Sequence, residues 1–182
     1  MADTQYDAIV VGAGFGGIYQ LHTLRDKLGL RVRGFEKGAG IGGTWYWNRY
    51  PGAMSDTESP FYRYSFDDEL LQEWDWKEEF ASQPELNEFF SRAAEKMDVR
   101  KDTQFNTCVT KAIFDNDNNS WTVELDNAEA LSCRFLLTAV GGTALVTLWH
   151  YFAERRKVRK ELAELENRII TRLNNGTFVR AS

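Results

Sequence analysis

Gly12, Gly14 and Gly17 follow the apolar run Ile9-Val10-Val11. Glycines at that spacing, leaving a strand and opening a helix, suit one task, which is holding a pyrophosphate. Gly12 permits the tight turn out of the strand, Gly14 presents no side chain to the phosphates, and Gly17 lets the helix lie close on the strand. The helix then offers unpaired N–H groups and the positive end of its dipole. An acid completes the set: Glu36 comes 19 residues after Gly17. A carboxylate there accepts bonds from both ribose hydroxyls and repels a 2′-phosphate, which fits FAD or NAD rather than NADP. The plainer reading of Glu36 is a surface acid at a strand end.

A second group of residues narrows the ligand. Gly42-Gly43-Thr44-Trp45 forms another glycine-rich turn. Its N–H groups would lie near the phosphates, and the aromatic residues after it could wall an isoalloxazine. Ordinary loop packing is the alternative for several of those rings.

The elements needed to position these residues are legible. Tyr6–Val11 reads as a buried parallel strand. Ile18, Leu21, Leu24 and Leu28 follow at helical spacing with Gly29 as a stop, and residues 31–36 give a second strand. Residues 38–66 read as an ordered loop with one helical turn, and a loop of that length is usually functional. Helices are expected over 67–76 and 83–97; in the latter Leu86, Phe89, Phe90 and Ala93 share a face. From residue 104 the period becomes two. Strands are expected over 105–114, 121–126 and 130–140, with Asp115-Asn116-Asp117-Asn118-Asn119 as a turn. The fold class is α/β: a Rossmann-like parallel sheet with helices, a small antiparallel β-meander, and a C-terminal helix.

Composition excludes several roles. The chain has 182 residues and a net charge of −5. Residues 1–150 hold 14 basic and 23 acidic side chains, and residues 151–182 hold eight and four. The larger part is therefore no nucleic-acid binder. Cys108 and Cys133 are isolated, without metal-ligand spacing, and fit a reducing compartment as small buried residues. No signal peptide or spanning segment is read, so a cytoplasmic location is expected. Val158, Leu162, Leu165 and Ile169 form a stripe on a charged helix that could pack on the domain or pair with a partner helix, including a second copy through residues 151–173.

With these residues in view, the chain resembles the flavin-dependent Baeyer–Villiger monooxygenases over about residues 6–141. The resemblance rests on the first glycine set, on Gly43-Thr44-Trp45-Tyr46-Trp47-Asn48-Arg49-Tyr50-Pro51-Gly52-Ala53-Met54-Ser55-Asp56, and on Leu71-Gln72-Glu73-Trp74-Asp75-Trp76. It implies tightly bound FAD, reduction by NADPH, and insertion of oxygen beside a ketone carbonyl. It also implies that Gly16 and Glu36 contact the AMP half, with Thr44 and Trp45 nearer the pyrophosphate and flavin. Asp56 and Tyr62 would lie beside the isoalloxazine, and Val109 would give backbone contacts to adenine. Asp56 would serve catalysis by orienting an arginine that stabilises negative charge at the flavin; its plainer reading is a turn or cap residue.

The pattern departs from the family after Gly142. The family's NADPH domain has its own GxGxxG, and no second one is counted here. The Phe-x-Gly-x-x-x-His signature and a catalytic arginine are not found either. The expectation is an incomplete FAD-binding domain over 1–142 with a divergent charged tail over 143–182, inactive alone. The alternative is a non-catalytic flavin-binding or interaction module that uses the basic tail.

Overall fold

The structure, a computed structural model, describes residues 4–140. The boundary after residue 142, the helical tail and its apolar stripe all lie outside the described residues.

The expected βαβ unit is present. Strand β1 (Tyr6–Val11) runs into helix α1 (Phe15–His22), and β2 (Val32–Phe35) lies parallel to β1 with Ala8 opposite Val32 and Val11 opposite Phe35. The α1 stripe stops earlier than its periodicity suggested. Beyond His22 the chain widens into a π turn (Thr23–Lys27), which carries Leu28 out to 61% exposure. Gly29 does end the element, at φ +66°. Helix α2 (Thr44–Trp47) is the single helical turn within the long loop.

Helix α3 (Asp68–Glu73) is shorter than the 67–76 expectation. Asp67 caps it by accepting from Leu70 N at 2.9 Å, and Trp74 leaves it in an extended conformation. The departure lets both indoles of Trp74 and Trp76 pack on Phe89. Helix α4 (Gln83–Lys96) begins with proline in its first turn and buries Leu86, Phe89, Phe90 and Ala93 as its spacing predicted.

The strand expected over 105–114 begins four residues late, at Val109. A two-residue β3 (Thr103–Gln104) joins β2 in parallel, the chain then turns through Asn106 at φ +51°, and β4 (Val109–Asp115) begins afterwards. Strands β5 (Ser120–Leu125) and β6 (Ala130–Thr138) follow. The meander is continuous with the parallel sheet, in one six-stranded order β3-β2-β1-β6-β5-β4. Strand β6 makes the join, pairing antiparallel to β5 with Trp121 opposite Cys133 and parallel to β1 from Cys133 to Thr138.

Strand β1 is apolar on both faces because both are covered. On one, Ala8 and Val10 meet Ile18 and Leu21 of α1 and the buried stripe of α4. On the other, Ile9 and Phe35 pack with Val123, Leu125, Leu131 and Cys133 of the meander. Burial pushes the Cys133 thiol up to about 11, as suits a small apolar core residue. The end of the returning strand is less buried than its run of apolar residues implied, and Val140 is exposed.

Candidate dinucleotide-binding cleft

A cleft of about 530 Å³ opens beyond the C-terminal ends of β1 and β2. Ligands bind at this edge of open α/β sheets, beside a strand such as β1 that has neighbours on either side. Gly12, Gly14, Glu36, Gly43, Thr44 and Val109 all line it. Six of the residues singled out by sequence therefore share one concavity.

The cradle leaves no room for side chains at its base. A Cβ at Gly17 would lie 1.9 Å from the Gly12 carbonyl oxygen, so α1 reaches its place against the β1 turn only with glycine there. A Cβ at Gly43 would lie 2.7 Å from Gly14 Cα. The two glycine turns thus touch backbone to backbone, and Gly42 N donates to Ala13 O at 3.1 Å.

The second turn holds more than the sequence reading found. Gly38-Ala39-Gly40-Ile41-Gly42-Gly43 repeats the GxGxxG spacing between β2 and α2, so the count of a single motif is corrected. The helix it opens is a single turn, so the run lacks the long amphipathic stripe that marks the first motif. The Tyr46 ring packs where Cβ atoms at Gly38 and Gly40 would sit, and its hydroxyl accepts from Ala39 N at 3.1 Å.

Glu36 is buried, with 6% exposure, rather than a surface acid. Its carboxylate accepts from Ala13 N at 2.8 Å and from Gly38 N at 2.7 Å. Each oxygen keeps a further lone pair for a ligand donor.

Trp45 and Tyr62 come together away from the cleft lining. Trp45 is 8% exposed, and its indole N–H donates to the Tyr62 hydroxyl at 3.1 Å. Gln83 on α4 donates to the Trp45 carbonyl. Tyr62, Tyr64 and Phe90 surround Phe15, the first residue of α1. The Tyr64 hydroxyl donates to Phe15 O at 2.7 Å, and burial pushes that phenol well above its ordinary range. These rings hold the helix that faces the cleft. Gly16 is buried within α1. Asp56 is exposed, outside the cleft lining, and its carboxylate accepts from the neighbouring Thr57 hydroxyl at 3.5 Å. Its loop is fixed by Ser55 N donating to Ala81 O and Ser59 N donating to Glu79 O.

Trp47 and Asn48 of the Gly43–Asp56 run also line the cleft, and Lys37, Thr107 and Cys108 join them without having been anticipated. Lys37 stands next to Glu36, so adjacency was the available signal. Thr107 and Cys108 arrive through the Asn106 turn, which alternation concealed. Among the described residues there is no cluster of His, Cys, Asp and Glu able to hold a metal ion, and no helix long and apolar enough to cross a membrane.

Fold and cleft define a Rossmann-like dinucleotide-binding domain, and residues 10–73 match the family model of the NAD(P)-binding Rossmann-like domain. Known proteins sharpen that class. A phenazine N-monooxygenase of Lysobacter antibioticus is 48% identical over 138 residues, covering 76% of this chain and 26% of the relative. A cyclohexanone 1,2-monooxygenase of an Acinetobacter species is 45% identical over 136 residues, covering 75% and 25%. Among solved structures, an oxidised steroid monooxygenase bound to NADP superposes with a TM-score of 0.73 at 49% identity, over 75% of this chain and 26% of that one. The OTEMO complex with FAD and NADP gives 0.73 and 49%, over 77% and 26%. The homologues of this chain are Baeyer–Villiger and related flavin monooxygenases, and it spans about a quarter of their length.

Proposed function

We propose that the cleft holds the ADP part of FAD and that the chain is the FAD-binding portion of a Baeyer–Villiger-type monooxygenase. The observation that carries this is the glycine cradle, where Gly14 and Gly43 meet backbone to backbone beside the buried carboxylate of Glu36. Polar N–H groups, a helix N-terminus and an acceptor for hydroxyls are together what a nucleoside pyrophosphate requires.

In this reading Gly12, Gly14, Gly16 and Gly17 keep the approach to the pyrophosphate open. Glu36 takes the ribose hydroxyls, and the Val109 backbone faces the adenine. Gly43 and Thr44 serve the diphosphate, and Trp45 and Tyr62 buttress that turn from behind. Asp56 acts toward the flavin ring by orienting an arginine supplied from elsewhere. When bound, the flavin supplies the redox and oxygen-transfer chemistry. This chain's own residues bind, orient and exclude water. NADPH serves the relatives as reductant, and the reaction class is oxygen insertion beside a ketone carbonyl. The phenazine N-monooxygenase relative favours a second reading, in which the oxygen acceptor is a ring nitrogen.

An absorbance spectrum recorded before and after adding NADPH tests the reading. The expected result is a flavin spectrum that NADPH alone does not bleach. A colourless chain that FAD cannot reconstitute overturns the assignment.

A further inference from the structure

We propose that Glu36 is a positioning residue that clamps the two glycine runs into one cradle before any ligand arrives. Its carboxylate stands between them: Oε2 accepts from Ala13 N, inside the first run, at 2.8 Å, and Oε1 accepts from Gly38 N, the first residue of the second, at 2.7 Å. The main chain of the same residue extends the clamp. Glu36 N donates to Gln104 O at 2.9 Å, and Glu36 O accepts from Thr107 N at 3.0 Å. One buried residue therefore fixes three segments of the cleft rim.

Charge-assisted bonds from backbone N–H groups are strong, and a buried N–H left without an acceptor is costly. Removing one carboxylate oxygen would release one glycine run. The close approach of Gly14 to Gly43 would loosen with it, since the Gly42 N to Ala13 O bond joins the same segments. This goes beyond a direct contact to ribose, because it makes pyrophosphate binding depend on Glu36 even for a ligand with no hydroxyl to offer. The inference rests on the dinucleotide reading of the cleft.

The test compares the full chain with its Glu36→Gln variant, which keeps one acceptor oxygen and sets an NH2 group against an N–H. Binding of ADP and of 2′,3′-dideoxy-ADP is measured by calorimetry, and amide exchange is followed residue by residue without ligand. The clamp predicts that both nucleotides weaken by about tenfold, the scale of one unpaired polar group. It also predicts faster exchange at Ala13 or Gly38 with Phe89 and Phe90 unchanged. Weakening of ADP alone with unaltered exchange overturns the clamp and leaves a simple hydroxyl ligand. A rise in exchange at Phe89 and Phe90 as well overturns it in favour of general destabilisation. If the parent chain binds neither nucleotide, the dinucleotide reading fails, and the local exchange pattern alone decides the clamp. Should Glu36→Gln not fold, Glu36→Asp, which keeps both oxygens on a shorter stem, carries the same measurements.

Discussion

A Cβ at Gly17 would sit 1.9 Å from the Gly12 carbonyl oxygen, and both atoms involved belong to backbone or to an atom one bond from it. Neither can swing aside, so α1 or the β1 turn must move. Gly17→Ala is expected to lower unfolding free energy by about 3 kcal/mol, the upper end for overpacking, with a reduced urea midpoint as the readout. Tyr62→Phe tests a different residue-level debt. It leaves the Trp45 indole N–H, now bonded at 3.1 Å, without its acceptor, and the expected loss is about 1–2 kcal/mol by the same measurement. At this scale the sequence was informative about residue identity and poor about partners. The spacing of Glu36 marked it as the acid at the β2 end, yet nothing in the spacing revealed Ala13 N and Gly38 N as its donors. Asp56 differs from Glu36 in being exposed and outside the cleft lining, and its role is implied by the resemblance alone.

Helix boundaries were the weaker part of the element reading, and the reason is tertiary. The α1 stripe breaks into a π turn where Arg25 reaches across to the end of α4, donating to Asp98 O at 2.8 Å, to Met97 O at 2.5 Å and to Asp102 at 2.6 Å. Those acceptors are more than 70 residues away and leave no trace in local periodicity. The strand expected at 105–108 failed similarly, because Asn106 turns the chain so that Thr107 N can reach Glu36 O. Where burial alone decides, periodicity succeeded, as in α4. Phe90→Ala is expected to cost about 3–5 kcal/mol, because its ring packs on Phe15, Tyr62 and Tyr64 inside the core; chemical denaturation measures it. The Arg25 junction also sets an acid limb. The hydrogen bond from Arg25 holds the Asp26 carboxyl down to about 2, below its ordinary 3.8. A lowered folded value means that the unfolded chain binds more protons in between, so this contribution is complete above about pH 4 and is lost as pH falls toward 2. Asp26→Asn should therefore flatten the fall in urea midpoint between pH 4 and 2.

The acidic balance gives an expectation for the whole molecule. With a net charge of −5 and an isoelectric point near 5.2, turbidity of concentrated solutions should peak close to pH 5.2 and clear on either side. The fold class was legible at this scale because a βαβ unit and a meander each have a local signature. Their fusion into one sheet was not, since it depends on β6 serving two neighbours of opposite direction. That double pairing also bears on how the chain is made. During synthesis β1 leaves the ribosome well before β6, so its partner on one side comes only when Cys133 to Thr138 have followed. At ordinary translation speeds the wait for those 127 residues, from Tyr6 to Cys133, is roughly 6–25 s. For that interval an apolar strand has one edge unsatisfied, and the nascent domain depends on whatever shields Ile9 and Val11 until β6 arrives.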